Sequence, residues 1–189
     1  MKTIHLLPLT KFIVFSIAFL LFAYIVFRVM CKKDYSKKQR LSPLSTVMAT
    51  LVFGLHGSLI YLVLPTKWPY LPQISQNQTI RILFIIFFGI GIIILFISWF
   101  RLGTKISLGA DKSRLQTGGF YKYSRNPQMV GYGFVLASFV IAYFSYLALI
   151  WFLLYLIVAY FMIKSEEEFL IQKYNEEYKD YCRQVPRII

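Results

Sequence analysis

The sequence predicts an all-α membrane protein with about five transmembrane helices, a C-terminal helical hairpin and a cytosolic amphipathic C-terminal helix. Of its 189 residues, 58% are hydrophobic and only 15% are charged, whereas ordinary soluble domains carry about 25% charged residues. The charges are missing from long blocks, and a bilayer-spanning helix needs ~20 mostly apolar residues. Aromatic residues make up 19% of the chain, and Tyr and Trp are enriched at membrane–water boundaries.

Long apolar blocks place the spans along the chain. One helix over residues 129–163 would be ~52 Å long, whereas the hydrocarbon core is only ~30 Å thick. We therefore expect two short, tightly paired helices that turn near Tyr143 to Tyr146. The charged tail, residues 164–189, is expected to be an amphipathic helix that ends before Pro186. The first three spans are expected at residues 12–27, 44–64 and 80–100.

Basic residues set the expected orientation. A net charge of +13 would suggest nucleic acid in a soluble protein, but Lys and Arg of membrane proteins collect in cytoplasmic loops. The basic loops 28–40 and 101–127 are separated by two spans, so they lie on one side. We expect the N-terminus outside or in a lumen, the C-terminus in the cytoplasm, and no nucleic-acid partner. Membrane lipids are the expected partners, and the oligomeric state stays open.

The chain divides into two regions. Residues 1–100 form a three-span membrane region, whose helices are expected to serve as anchors and packing surface. Residues 101–189 form the expected catalytic region, because most side chains able to do chemistry lie there. This region comprises a loop, the hairpin of spans four and five, and the C-terminal helix.

Several residues inside the spans have two interpretations. An intramembrane His such as His56 is a functional candidate, but a single His beside small residues more often hydrogen-bonds a neighbouring helix. Gly89 and Gly91 lie mid-span, where another helix can approach closely. Cys31 and Cys182 have no metal-ligand spacing, so no metal site is predicted.

A cluster of acidic residues directly follows the last span. Glu166, Glu167 and Glu168 are adjacent in sequence, and like charges repel unless a cation faces them. Arg125 precedes the hairpin, and a hairpin returns its two ends to the same depth in the membrane. We therefore expect Arg125 to lie beside the glutamates.

The tail and the loop before the hairpin carry further patterns. Paired glycines at Gly118 and Gly119 permit a tight turn. Gly131 and Gly133 open the hairpin helix, where glycine lowers helix stability, which suggests close approach of a backbone, a cofactor or a helix. Steps of three and four predict one helical stripe in the tail, formed by Glu166, Leu170, Tyr174, Tyr178, Tyr181 and Val185.

Two runs together resemble a family signature. The first is Gly119-Phe120-Tyr121-Lys122-Tyr123-Ser124-Arg125-Asn126-Pro127, followed by Gly131. The second begins at Glu166-Glu167, continues through Leu170, Tyr174, Asn175, Tyr178 and Tyr181, and ends at Val185-Pro186-Arg187. With the uncharged hairpin between them, they are similar to the isoprenylcysteine carboxyl methyltransferase and phospholipid methyltransferase group of membrane enzymes.

The resemblance implies an enzyme that binds S-adenosylmethionine at the cytoplasmic membrane face and methylates a lipophilic acceptor. It implies catalytic roles for Arg125, Glu166 and Glu167. Arg125 would hold a carboxylate, and the aromatic residues would stack on adenine or face the sulfonium. The implied cofactor-binding residues are Gly119, Tyr121, Tyr123, Arg125, Asn126, Pro127, Gly131, Glu166, Glu167 and Tyr174.

Departures from the family pattern leave the acceptor open. Met129 stands where many members have Tyr, and Tyr174-Asn175 stands where many have Phe-Gly. An isoprenylated cysteine carboxylate, a phosphatidylethanolamine-type amine and a small lipophilic thiol are all possible acceptors. Two alternatives to methyl transfer also stay open: a membrane reductase of the steroid reductase-like type, and a non-enzymatic membrane scaffold.

Overall fold

A computed structural model describes residues 3–64, 70–103 and 115–188, with side chains from Leu9 onward. Within these ranges the chain forms helices joined by turns and loops and contains no strand, which confirms the predicted all-α membrane fold. Helical stretches long and apolar enough to cross a membrane cover Leu9–Lys38, Pro43–Val63, Gln78–Leu102 and Tyr146–Tyr174, and Pro127–Ala142 is a shorter apolar helix.

The first span is longer than predicted. Helix α1 (Thr3–Tyr24) continues through a π-helical segment (Ile25–Cys31) into α2 (Lys32–Lys38). The predicted basic loop over residues 28–40 is therefore wrong, since helix persists until Gln39 adopts a left-handed conformation (φ 57°). Lys and Arg are good helix formers, so a run of basic charge does not by itself end a helix.

The second and third spans agree with their predicted positions. Helix α3 (Pro43–Ser58) is capped by Ser42, and a short helix, α4 (Ile60–Val63), completes the crossing. Helix α5 (Gln78–Leu102) is capped by Asn77, whose side chain accepts from two backbone N–H groups. These caps satisfy N–H groups that helices leave unpaired at their starts.

The hairpin turn lies where it was predicted, but its helices do not pair as expected. Helix α6 (Pro127–Ala142) ends at Tyr143, and α7 (Tyr146–Tyr174) begins after the N-cap Ser145. Helix α6 packs most extensively against α5 rather than α7. A Cβ on Gly91 would lie 2.6 Å from the Gly131 carbonyl oxygen, so the α5 and α6 backbones touch. This confirms the prediction that another helix comes close to Gly91, and it identifies a helix as the close neighbour of Gly131.

The tail is two helices rather than the single predicted one. Helix α7 runs without a break from the membrane span to Tyr174, and Asn175 then adopts φ 45°. Helix α8 (Glu176–Gln184) follows and ends before Pro186, as predicted. Asn is among the few non-glycine residues that adopt positive φ readily, and its turn interrupts the predicted stripe.

Of the two interpretations of His56, the structure supports the hydrogen bond to a neighbouring helix. Its Nε2 donates to the Trp151 carbonyl oxygen at 2.9 Å, and Trp151 Nε1 donates to the His56 carbonyl oxygen at 2.8 Å. The two rings stack with 5.1 Å between centroids. His56 therefore joins α3 to α7 in the interior of the bundle.

Candidate functional site

A cavity of about 590 Å³ has a charged end and an apolar end. Its charged end is formed where the segment before α6 meets the C-terminal part of α7. Five of the predicted site residues line it, namely Tyr121, Arg125, Asn126, Glu166 and Glu167. The fold therefore brings these five residues together at one end of the cavity, and their catalytic and cofactor-binding roles stay predictions.

An ion-pair group holds the charged end together. Arg125 Nη1 lies 2.8 Å from Glu167 Oε1, and Arg187 Nη2 lies 2.6 Å from Glu167 Oε2. This confirms that Arg125 lies beside the glutamate cluster. The Arg125 and Glu167 side chains are only 12% and 8% exposed. Glu167 raises the pKa of Arg187 above its ordinary value, chiefly by accepting its hydrogen bond.

The end of the chain is bound to the same place. Arg125 N donates to the Pro186 carbonyl oxygen at 3.0 Å, and Asn126 Nδ2 donates to the Arg187 carbonyl oxygen at 2.9 Å. Arg125 Nη1 also lies 2.6 Å from Cys182 Sγ. In contrast, Arg125 Nε is buried with no hydrogen-bond partner in the part of the chain that the structure describes. A buried donor without a partner is costly, which makes it a candidate for binding a ligand.

The three adjacent glutamates point in different directions. Glu168 pairs with Arg28 and Lys32 of the first span, each at 2.9 Å. Glu167 pairs with Arg125 and Arg187, and both Glu166 and Glu167 line the cavity. Successive residues on a helix point about 100° apart, so one short run supplies both a helix–helix link and two carboxylates for the cavity.

Tyr178 and Tyr181 line the cavity but were not among the predicted site residues. Tyr181 Oη donates to the Tyr121 carbonyl oxygen at 2.6 Å. Burial raises the pKa of Tyr121 and Tyr178 above the ordinary value and that of Tyr181 to about 12. All three hydroxyls therefore stay protonated at neutral pH. The predicted helical stripe includes both α8 tyrosines. The structure differs from that prediction in the turn at Asn175, which divides the stripe between two helices.

The other five predicted site residues lie outside the cavity lining. Tyr123 is 73% exposed, and Tyr174 packs beside Tyr178 in a small apolar cluster. Pro127 is buried as the first residue of α6. Gly119 adopts φ 63° against the Arg101 side chain. Gly131, described above, contacts α5. Their cofactor-binding roles stay predictions.

The apolar end of the cavity is built mainly by the first three spans. Helix α3 contributes Thr46, Ala49, Thr50, Phe53 and Gly54, and α5 contributes Leu95, Trp99 and Leu102. The expectation that these spans are only anchors and packing surface is therefore wrong. Hydropathy alone marked them as membrane-spanning, and it carries no information on which face borders a cavity.

The comparisons with known proteins bear on the segment that contains the charged end. The profile described as phospholipid methyltransferase matches residues 80–177, slightly more than half of the chain. The chain belongs to the phospholipid methyltransferase family. The match begins in α5, ends in α8 and includes Arg125 and both cavity glutamates. Comparison with curated proteins and with solved structures gave no match.

Membership of the phospholipid methyltransferase family gives the general activity. The family supports a membrane methyltransferase, and the helices described above are those of an integral membrane protein. Methyl transfer needs a site that aligns two molecules and excludes water. A single cavity with charged groups at one end and an apolar wall at the other meets that requirement.

Proposed function

We propose that this member of the phospholipid methyltransferase family transfers a methyl group from S-adenosylmethionine to a lipophilic acceptor at the cytoplasmic membrane face. The observation that carries the proposal is the position of Arg125 and Glu166. Both line a cavity that continues into an apolar wall of α3 and α5. A polar cofactor and an apolar acceptor can therefore meet inside it.

The residues present fit this cofactor. Arg125 has a buried Nε donor without a partner among the described residues, and a guanidinium suits a carboxylate. Glu166 would bind the ammonium or the ribose hydroxyls. Tyr121, Tyr178 and Tyr181 offer neutral aromatic surface for adenine or for the sulfonium. The proposal thus assigns Arg125 and Glu166 the roles that the resemblance implied.

The chemistry needs little beyond alignment. S-adenosylmethionine supplies an electrophilic methyl group bound to a sulfonium. A lone pair on the acceptor forms the new bond to the methyl carbon, and the electrons of the broken carbon–sulfur bond stay on sulfur. Carboxylate and thiolate acceptors release no proton. An amine must lose one, and Glu166 and Glu167, which both line the cavity, are the proposed candidates for the base.

Charge in the cavity favours this cofactor over a nicotinamide dinucleotide. Among the described lining residues, Arg125 is one cation against the two carboxylates of Glu166 and Glu167. A pyrophosphate requires cationic or N–H donors, whereas a sulfonium is attracted to carboxylates and aromatic faces. The reductase alternative is therefore weaker. The scaffold alternative explains the ion pairs but not the unpaired donor.

The proposed orientation places the charged end in the cytoplasm. Arg28 of the first span and Glu168 of α7 form an ion pair, so the basic end of the first span and the start of the tail share one side of the bundle. Basic residues favour the cytoplasmic side. The family description supports a phospholipid amine as acceptor, while an isoprenylated cysteine carboxylate and a lipophilic thiol are tested beside it.

Binding of labelled S-adenosylmethionine to the purified protein tests the proposal directly. The wild type is expected to bind, and Arg125→Ala and Glu166→Gln are expected to bind at least about tenfold more weakly. Arg183→Ala is the matched control, because Arg183 is 70% exposed and pairs only with Asp180 among the described residues. Titration with a nicotinamide dinucleotide separates the reductase alternative.

A second step identifies the acceptor. Protein, native lipid extract and methyl-labelled cofactor are incubated, and the labelled product is identified by mass spectrometry. Absence of cofactor binding in the wild type, or full activity in Arg125→Ala, would contradict the proposal. A loss of stability in Arg125→Ala without any loss of ligand affinity would favour the scaffold.

A further inference from the structure

The cavity meets the lipid-facing surface of α3 at Gly54. The cavity-lining residues of α3 follow one helical face from Thr46 to Gly54, with the spacing of three and four that places side chains together. Leu51 and Leu55, on the adjoining face, are 46% and 47% exposed. Gly54 is itself exposed, so it lies at the border between the cavity and the bilayer.

Helix packing does not explain the missing side chain at Gly54. A Cβ added there would meet no atom of the described residues within 4 Å, whereas a Cβ on Gly91 would meet the backbone of another helix. A glycine inside a helix is less favourable than alanine by about 1 kcal/mol. The gap left at Gly54 is continuous with the cavity, so a side chain there would narrow the cavity without disturbing the fold.

Helices α3 and α5 both line the cavity but pack on different parts of the bundle. Helix α5 packs on α6, while α3 packs on the first span and α7. Leu95 and Trp99 of α5 contribute apolar side chains to the same lining. From Thr46 to Gly54 the cavity follows α3 for ~12 Å, a distance that suits a hydrocarbon chain rather than a small substituent.

We infer that Gly54 is a specificity-determining residue that admits acceptors with a long hydrocarbon chain. The chain lies along α3 and leaves the cavity past Gly54, while the acceptor headgroup stays near Glu166. This inference rests on the proposed function and adds to it the residue that sets how long a hydrocarbon chain the cavity accepts. A side chain at Gly54 would then lower kcat/KM more for acceptors with longer chains.

Gly54→Leu tests this directly, with Gly57→Leu as the matched control. A Cβ on Gly57 also meets no atom of the part of the chain that the structure describes within 4 Å, but Gly57 does not line the cavity. Methyl transfer is measured with two homologous series, octanoyl to stearoyl lysophosphatidylethanolamines and octyl to octadecyl S-alkyl-N-acetylcysteines. We expect Gly54→Leu to lower the long-chain to short-chain ratio of kcat/KM at least about tenfold, and Gly57→Leu to keep the wild-type ratio. An unchanged ratio in Gly54→Leu overturns the inference.

A second measurement separates failure of this inference from failure of the proposed function. If the wild type binds no S-adenosylmethionine and methylates neither series, the proposed function fails. The inference is then decided by the fluorescence of 11-(dansylamino)undecanoate, which requires no methyl transfer. Binding weakened in Gly54→Leu but not in Gly57→Leu supports it, and equal binding in all three proteins overturns it.

Discussion

Arg125 Nη1 lies 2.8 Å from Glu167 Oε1, and this pair joins the start of α6 to the end of α7 across the whole hairpin. Both side chains are nearly buried. Replacing one partner of a buried pair leaves the other charge without compensation, which typically lowers stability by about 3–5 kcal/mol. The pair therefore stabilises the fold and also shapes the charged end of the cavity.

Glu167→Ala is expected to lower the free energy of unfolding by about 3 kcal/mol. The measurement is the midpoint of thermal unfolding in detergent. Asp180→Ala is the control, because the Asp180–Arg183 pair is exposed and exposed pairs contribute about 0–1 kcal/mol. Equal shifts in the two variants would show that the Arg125–Glu167 pair has no special role in stability.

The contact between α5 and α6 gives a second prediction. In Gly91→Ala, the new Cβ would lie 2.6 Å from the Gly131 carbonyl oxygen, so the helices must separate, at about 1–3 kcal/mol. In Gly89→Ala, two residues earlier on the same helix, the new Cβ meets none of the described atoms within 4 Å, so the change is expected to be neutral or slightly stabilising. Unfolding midpoints that fall equally in both variants would contradict the close backbone contact.

The sequence located the charged end of the cavity because the physics there is local. Three glutamates beside a membrane edge require cations, and a hairpin of uncharged residues returns Arg125 to them. Helix pairing is different. Gly91 and Gly131 were each recognised as sites of close approach, but no pattern within an apolar block states which helix is the neighbour. The α5–α6 pairing therefore had to come from the structure.

Two further misses have the same kind of cause. The residues from Thr46 to Gly54 line the cavity because of how the helices pack in three dimensions. Hydropathy predicts that this segment spans the membrane but not which of its faces borders a cavity. The break at Asn175 depends on one backbone angle, φ 45°, and helical spacing continues on both sides of it. Periodicity therefore predicted one helix where there are two, although it grouped Tyr178 and Tyr181 correctly.

His56→Ala tests the structural interpretation of an intramembrane histidine. It removes the hydrogen bond to the Trp151 carbonyl oxygen, and hydrogen bonds between membrane helices contribute about 0.6–1.7 kcal/mol. We expect a lower unfolding midpoint and an unchanged pH profile of methyl transfer. A profile that loses a titration near neutral pH in His56→Ala would instead assign the ring a catalytic role.

Reporter fusions test the proposed orientation. Green fluorescent protein fused after Ile189 is expected to fluoresce, and alkaline phosphatase at the same position is expected to be inactive, because basic residues favour the cytoplasmic side. The control places alkaline phosphatase after Gln76, in the loop before α5, where it should be active. Reversed activities at the two positions would invert the proposed orientation.

Tyr181 gives a prediction for alkaline pH. Burial raises its pKa to about 12 in the folded protein, compared with about 10 for an unperturbed tyrosine. The folded state therefore favours the neutral phenol. That contribution is fully present below pH ~10 and is lost as the pH rises towards about 12.

Tyr181→Phe removes both this titration and the hydrogen bond to the Tyr121 carbonyl oxygen. We expect it to unfold at a lower temperature at neutral pH, by the equivalent of about 1 kcal/mol. The difference from the wild type should shrink as the pH rises above about 10. Unfolding midpoints measured across this range for both proteins check the prediction, with Tyr123→Phe as the control since Tyr123 is exposed. A wild-type advantage that grows with pH would contradict it, because the deprotonated phenol would then be the form that the fold stabilises.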